Sequence, residues 1–199
     1  EMCIRDRFRI PVAMNQLQYF GRGPEENYCD RNNGTLVGFY KSTAEQQYVP
    51  YVRPQENGHK TETRWLSLTD KNGKGLLFVA DSNFMEFNVS RNKVEDFDSE
   101  ESNRPYQWQN FTRGESHDPL AAKNRKPKQT HINDIFPRNF VEVCLDHRMM
   151  GVAGDDSWGS QPYPKYKLPA NKEYHWNFTI IPIKNSTEIT ERLNYQYLP

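Results

Sequence analysis

The sequence lacks a surplus of either charge and any long apolar run. It has 26 basic and 26 acidic residues, with a pI near 7.2. Binding to nucleic acid or to an anionic membrane depends on a basic surface, so this balance argues against both partners. No stretch of about 18 consecutive apolar residues is present, and the sequence therefore predicts no membrane-spanning helix.

The sequence is also poor in cysteine and has no pattern typical of a metal site. The cysteines are Cys3, Cys29 and Cys144, with no C-x-x-C pair and no histidine spacing suited to zinc. A chain of this length can bury enough apolar surface without disulfides, so we expect free thiols. No D-x-D-x-D loop suits a hard cation, and we assign no metal ligand.

What the sequence has is many aromatic residues and many turns. Only 35% of the residues are hydrophobic, which is low for a globular domain, yet 13% are aromatic. That aromatic content is not typical of a disordered chain. Together with alternating apolar and polar residues, it favours one sizeable all-β domain.

The alternation places the predicted strands along the chain. A polar loop at 69–75 between two such segments predicts a hairpin. Residues 34–40 could form a strand or a single helical turn, and an edge position is expected for the last strand because it contains Pro182. Predicted strands lie at 8–12, 17–20, 62–68, 75–80, 84–90, 140–145 and 174–183.

Three segments fit no regular element. Residues 1–7 match no pattern, and we expect them to be foreign to the domain, so that their deletion leaves the melting temperature unchanged. Residues 91–134 are polar and predict a long surface loop, whose basic run at 123–128 is interpreted as solvated. Residues 185–199 are interpreted as a C-terminal tail without a clear pattern.

Two places hold residue types that catalysis often uses. Glu25 and Glu26 are adjacent and would point to opposite faces of an extended chain, so they could not flank one bond. We interpret them as solvated or turn-capping residues. His59 follows an Asn-Gly turn without a partner nucleophile and is interpreted as a surface or packing residue.

The most informative stretch is a glycine-rich loop that ends in a tryptophan. Gly154 permits backbone angles closed to other residues, and Asp155, Asp156 and Ser157 are short polar side chains that fasten tight turns. Trp158 follows at once. Two interpretations stay open: an ordinary turn before a core tryptophan, or a rigid turn that presents an indole for stacking on a sugar ring.

Three blocks of sequence carry a resemblance to a known family. Residues 154–158 (GDDSW) resemble a signature of the glycoside hydrolase family 2 β-galactosidases. Residues 19–31 are similar to that family's G-x-G-P-x-E-N-Y-x-D-R block, and residues 51–58 resemble its Y-V-x-P-x-E-N-G block. The resemblance implies that residues 8–184 are the C-terminal, small-chain β-sandwich domain, a large antiparallel sandwich of the galactose-mutarotase-like supersandwich type.

The resemblance also implies a function. Family members hydrolyse terminal β-D-galactosides such as lactose, and their two catalytic carboxylates lie on a barrel domain that this chain does not resemble. The chain by itself is therefore expected to be inactive, and Trp158 matches the residue that stacks on the sugar. Asp155 and Asp156 are interpreted as supports of its loop rather than catalytic acids.

The expected partners are a β-galactoside and the catalytic barrel domain or large chain, with a homo-oligomer when full length. Family members often bind Mg²⁺ and Na⁺, but the ligands lie on other domains, so no cofactor is expected in this chain. Two alternatives stay open: a free-standing carbohydrate-binding module, and a structural small subunit.

Overall fold

A computed structural model of the chain describes residues 3–97, 132–156 and 158–194. The chain divides into two compact units. The larger unit consists of Glu1–Val49, Asn57–Arg91 and Asn139–Pro199, and the smaller one of Pro50–Glu56 and Asn92–Arg138. Every strand of the described residues lies in the larger unit.

The larger unit contains two antiparallel sheets. One sheet has four strands in the order β1-β8-β7-β4, and the other has five in the order β3-β2-β5-β6-β9. The strands are β1 Cys3–Pro11, β2 Gln16–Gly23, β3 Leu36–Thr43, β4 Lys60–Thr63, β5 Trp65–Thr69, β6 Gly75–Ala80, β7 Met85–Ser90, β8 Phe140–Met149 and β9 Phe178–Ile183.

The two sheets enclose a hydrophobic core, because each strand turns alternate apolar residues inward. Side chains of β2, β5 and β6 meet side chains of β7 and β8 in one buried cluster. Its members include Leu17, Tyr19, Leu66, Leu68, Phe78, Phe87, Val89, Val141, Val143 and Leu145. The predicted all-β antiparallel sandwich is confirmed.

Several local predictions are confirmed. The strands β5 and β6 form the expected hairpin, whose loop is fastened by Asp70, since its Oδ1 accepts hydrogen bonds from the backbone N–H groups of Asn72 and Lys74 at 2.8 and 2.9 Å. The segment at 34–40 is a strand, β3, and not a helical turn. The strand that contains Pro182 is an edge strand.

One strand predicted at 62–68 is instead two strands in different sheets. The chain leaves β4 of the four-stranded sheet and enters β5 of the five-stranded sheet with only Arg64 between them. The backbone turns at Glu62, whose φ of 50° is unusual for a residue with a side chain. The sequence does not reveal the break, because Glu62, Thr63 and Arg64 are all polar and do not show which sheet the chain enters.

The interpretation that residues 1–7 belong to no element is wrong for its described part. β1 begins at Cys3 and pairs with β8 as far as Met149. The Arg5 guanidinium donates two hydrogen bonds, at 2.6 and 2.8 Å, to the buried carboxylate of Asp146. Charged residues alternate with few apolar ones in this stretch, so the residue pattern does not reveal the pairing.

The tail predicted at 185–199 contains a helix. A helix, here α2, spans Thr187–Asn194, and the Asn185 Oδ1 accepts hydrogen bonds from the backbone N–H groups of Thr187 and Glu188 at its start. Its apolar residues Ile189 and Leu193 pack on the outer face of the five-stranded sheet. Residues 195–199 lie outside the described residues.

The smaller unit has little regular structure in its described residues. It contains the single-turn helix α1, Val94–Phe97, and a 3-10 turn at Ile132–Asp134. The Arg138 guanidinium binds the Asp96 carboxylate at 2.5 and 2.9 Å. Most of the loop predicted at 91–134 lies outside the described residues, which exclude 98–131. Among the described helices, none has the length and apolarity to cross a bilayer.

Candidate functional site

Trp158 lies at the surface on the turn that follows β8. Its side chain is 90% exposed, so it is not the core tryptophan of one interpretation. The Asp156 Oδ1 accepts hydrogen bonds from the backbone N–H groups of Trp158 at 2.7 Å and Ser160 at 3.3 Å. Hydrogen bonds from Ser160 and from the Trp158 backbone lower the pKa of Asp156. The predicted loop support Ser157 lies outside the described residues.

The backbone before this turn adopts an unusual conformation. Ala153 and Gly154 have φ angles of 56° and 101°. The second angle is reached easily only by glycine, which explains the residue at that position. The predicted support Asp155 is exposed. These two successive positive φ angles turn the backbone just before the exposed Trp158.

Asp30 anchors the start of this loop. Its Oδ2 accepts a hydrogen bond from the backbone N–H of Ala153 at 2.9 Å. A Cβ at Gly151 would lie 2.4 Å from the same oxygen, so only glycine fits there. The Gly151 N–H in turn donates to the carbonyl of Tyr166 at 2.9 Å. The block at 19–31 and the tryptophan loop are thus joined directly.

Glu26 is a structural residue of the first block. Its Oε1 accepts a hydrogen bond from Arg31 at 2.8 Å, while Oε2 accepts from the Gly58 backbone N–H at 2.9 Å and from the Tyr28 hydroxyl at 3.2 Å. Its neighbour Glu25 is exposed. The carboxylate of Glu26 therefore fastens loops, as a turn-capping residue does, and joins the first block to the end of the second.

Asn27 fixes the same loop from inside. It is fully buried, and its Oδ1 accepts a hydrogen bond from the Thr61 backbone N–H at 2.9 Å. Its Nδ2 donates to the carbonyls of Arg22 and Glu25 at 3.2 and 3.1 Å. Each of these bonds satisfies a buried group that would otherwise be costly.

His59 is buried and stacks on Tyr28, with ring centroids 5.3 Å apart. Its Nδ1 lies 2.6 Å from the Asn88 Oδ1. The Asn88 amide nitrogen donates to the Asn57 carbonyl, so Oδ1 is an acceptor and the His59 Nδ1 must donate. The His59 Nε2 faces the Glu86 Oε2 at 3.1 Å and also donates. Each ring nitrogen thus faces an acceptor oxygen, an arrangement that favours the doubly protonated imidazolium of His59.

The electrostatics agree with this assignment. Burial lowers the pKa of His59, but the hydrogen bond to Glu86 and the charges of Glu86 and Asp146 outweigh it and raise that pKa above its ordinary value. Glu86 Oε2 also accepts a hydrogen bond from the Met149 backbone N–H at 2.7 Å. The buried cluster therefore holds the chain two residues before Gly151, where the tryptophan loop begins.

Sequence reasoning missed Glu86, Asn88 and Asp146. A signal was present, since Glu86 and Asn88 alternate with Phe87 and Val89 on β7. The alternation predicts a strand at 84–90, but it does not show what covers the polar face. Both faces are buried, and the polar one closes on His59. The hydrogen bonds of this buried cluster hold the adjoining loops in position.

The described residues contain no group of three or more His, Cys, Asp or Glu side chains arranged to hold a metal ion. These residues therefore do not fit the Mg²⁺ or Na⁺ sites of the wider family, and we derive no step through a metal. What the site offers chemically is a solvent-exposed indole held by a fastened turn.

Comparison of the sequence with known proteins identifies the family of this chain. The sequence model described as "Beta galactosidase small chain" matches residues 6–180, most of the chain. The chain belongs to the β-galactosidase small-chain family. It is 32% identical over 176 residues to a β-galactosidase of Priestia megaterium, covering 88% of this chain and 14% of that protein.

Other relatives give the same result. A β-galactosidase of Halalkalibacterium halodurans is 28% identical over 173 residues, covering 87% of this chain and 14% of the relative. One of Streptococcus thermophilus is 28% identical over 176 residues, covering 88% and 14%. This small-chain family member therefore spans about one seventh of the length of these curated relatives.

Proposed function

We propose that this chain is the part of a β-galactosidase that supplies Trp158 as a stacking platform for the galactose ring. The observation that carries the proposal is the indole's 90% exposure at the tip of a turn fastened by Asp156. An exposed indole face matches the C–H face of a sugar. Membership of the β-galactosidase small-chain family supports a terminal β-D-galactoside such as lactose as the sugar in this proposal.

The chemistry of hydrolysis belongs, in this proposal, to another part of the enzyme. Retaining hydrolysis needs two carboxylates about 5–5.5 Å apart on either side of the glycosidic bond. The carboxylates around the tryptophan loop have other tasks: Asp30 and Asp156 accept backbone hydrogen bonds, and Glu86 is buried against His59. The isolated chain should therefore not hydrolyse a nitrophenyl galactoside.

The test uses a full-length β-galactosidase whose small-chain region is this chain. Trp158→Ala removes a stacking contact worth about 1 kcal/mol beyond area burial, so we expect KM for lactose to rise about 5-fold or more. Trp158→Phe keeps a smaller aromatic face, so its KM should lie between those of the wild type and Trp158→Ala. A KM unchanged in Trp158→Ala would refute the platform.

A matched control separates stacking from a general loss of aromatic surface. Tyr163 is 60% exposed and lies five residues further along the same surface segment. Tyr163→Ala should leave KM within about twofold, because the proposal gives it no contact with the sugar.

The loop supports give a second series. Asp156→Ala removes the acceptor for the backbone N–H groups of Trp158 and Ser160. The indole would then sample more orientations, and KM should rise in the same direction as in Trp158→Ala but by less. Asp156→Asn keeps an acceptor oxygen, so its KM should lie close to that of the wild type. Equal KM values in the wild type, Asp156→Ala and Asp156→Asn would contradict the role of Asp156 in holding the turn.

A carbohydrate-binding module is the second candidate, favoured by the exposure of Trp158 in the chain by itself. Isothermal titration of the isolated chain with galactose and lactose separates the two. Sub-millimolar binding that Trp158→Ala abolishes would favour the module. No binding would favour a platform that works only beside the catalytic part.

A further inference from the structure

A row of aromatic side chains crosses the outer face of the five-stranded sheet. Phe20 on β2 lies opposite Trp65 on β5 and opposite Phe39 on β3, so the three rings share one face. The rings of Phe20 and Phe39 stack at 4.4 Å and 15°, and those of Phe39 and Trp65 are 6.1 Å apart. This row lies on the face turned away from the core between the sheets.

Helix α2 covers only one end of this row. Ile189 and Leu193 pack with Trp65, which is 8% exposed, whereas Phe39 at the sheet edge is 73% exposed. Between the helix and β3 lies a groove of about 810 Å³, lined by Phe20, Phe39, Trp65, Ile189 and Leu193 among others. The apolar surface of the groove is therefore buried at Trp65 and exposed to solvent at Phe39.

The edge of the sheet beside this groove is also open. Among the described residues, β3 pairs with β2 alone. Leu36, at the start of β3, is as exposed as Phe39. Proteins usually cover or charge a long apolar edge strand, because its free backbone groups pair readily with another chain.

The charged side chains along the groove indicate which kind of partner would bind there. Lys41 and Arg64 line the groove, and none of the lining residues that the structure describes is Asp or Glu. The Arg64 guanidinium lies over the rings of Phe20 and Phe84, at 5.2 and 3.9 Å from their centroids. A second copy of this chain would bring the same cations together, whereas an apolar segment flanked by carboxylates would complement them.

We propose that this groove and the β3 edge dock the large-chain part of a β-galactosidase, through an apolar segment flanked by acidic residues. The proposal rests on the proposed function. The relatives are about seven times longer than the region this chain matches, so most of such an enzyme lies outside the small-chain region. An apolar face next to an exposed edge strand is the surface such a partner would cover.

The test measures the affinity of the 199-residue chain for a β-galactosidase large chain prepared without its small chain. Phe39→Thr removes the exposed ring but keeps strand propensity, and should weaken binding about tenfold or more. Phe136→Thr is the matched control, because Phe136 is 71% exposed but does not line the groove. Its affinity should stay within about twofold of wild type.

A charge reversal provides the second variant. Lys41→Glu should weaken binding and flatten its dependence on salt, since screening acts on the attraction between Lys41 and the partner's carboxylates. The melting temperature of each variant checks that it is folded.

Three results would overturn the proposal. They are wild-type affinity in Phe39→Thr, no binding by the wild-type chain, and a wild-type homodimer that Phe39→Thr dissociates. The proposed function fails separately, because it is decided by the KM of Trp158→Ala and not by an affinity for the large chain.

Discussion

Glu86→Gln tests whether the buried cluster of His59, Glu86 and Asp146 stabilises the folded chain. The Glu86 carboxylate is 8% exposed, so solvent screens it little. Removing one partner of a buried ion pair costs about 3–5 kcal/mol. Gln keeps an oxygen that can accept the Met149 N–H, so we expect the lower end, about 3 kcal/mol at pH 6. For a chain of this size that is a drop in Tm of about 6–12 °C.

The pH dependence follows from the direction of the His59 pKa shift. Its pKa is raised in the folded protein by Glu86 and Asp146, against the opposite effect of burial. The stability that His59 contributes is therefore fully present below about pH 6.5, its ordinary pKa, and is lost as the pH rises through the raised value. The difference between wild type and Glu86→Gln should be largest near pH 6 and shrink toward pH 9.

The measurement is a urea-unfolding series at each pH, with Glu142→Gln as the matched control. Glu142 is also buried, at 3% exposure, and accepts a hydrogen bond from the Arg9 guanidinium at 2.9 Å. Arginine stays protonated throughout this range, so the loss in Glu142→Gln should not change between pH 6 and 9. A loss in Glu86→Gln that is equally flat would refute the charged His59.

Further predictions concern stability. Lys60 is 2% exposed and burial lowers its pKa to about 8, so the unfolded chain binds more protons between about pH 8 and 10.5 and wild-type stability rises with pH there. Lys60→Met should gain at most about 3 kcal/mol at pH 7, and urea titration should show this gain fading across that window. Deleting residues 1–7 removes the Arg5 guanidinium that binds the Asp146 carboxylate, so Tm in calorimetry should fall by several degrees. An unchanged Tm would show that this pairing contributes no stability. Ile189→Ser should cost about 2–3 kcal/mol in urea unfolding by uncovering the sheet, and a cost below about 0.5 kcal/mol would mean that α2 does not pack there.

The sandwich could be predicted because its strands follow the period-2 rule. The hairpin of β5 and β6 combines alternation with a polar turn that Asp70 fastens, two local signals that agree. The break at Arg64 could not be predicted, because it depends on which sheet the residues on each side of Arg64 join. Periodicity reports which residues face the same way, but not which layer they join.

The exposed part of the site was accessible to sequence reasoning and the buried part was not. Gly154 has a positive φ and the Asp156 carboxylate fastens a turn, the local features that these residue types suggest. The cluster of His59, Glu86 and Asp146 comes from three distant segments, and only tertiary packing brings them together. Each would be an ordinary surface residue if its strand faced solvent.

The most direct test of the account is a crystal structure of a full-length β-galactosidase carrying this chain, with galactose bound. We expect the Trp158 indole to lie flat against the C–H face of the sugar, with Asp156 still accepting the Trp158 backbone N–H. A bound galactose that leaves this indole in solvent would contradict the account.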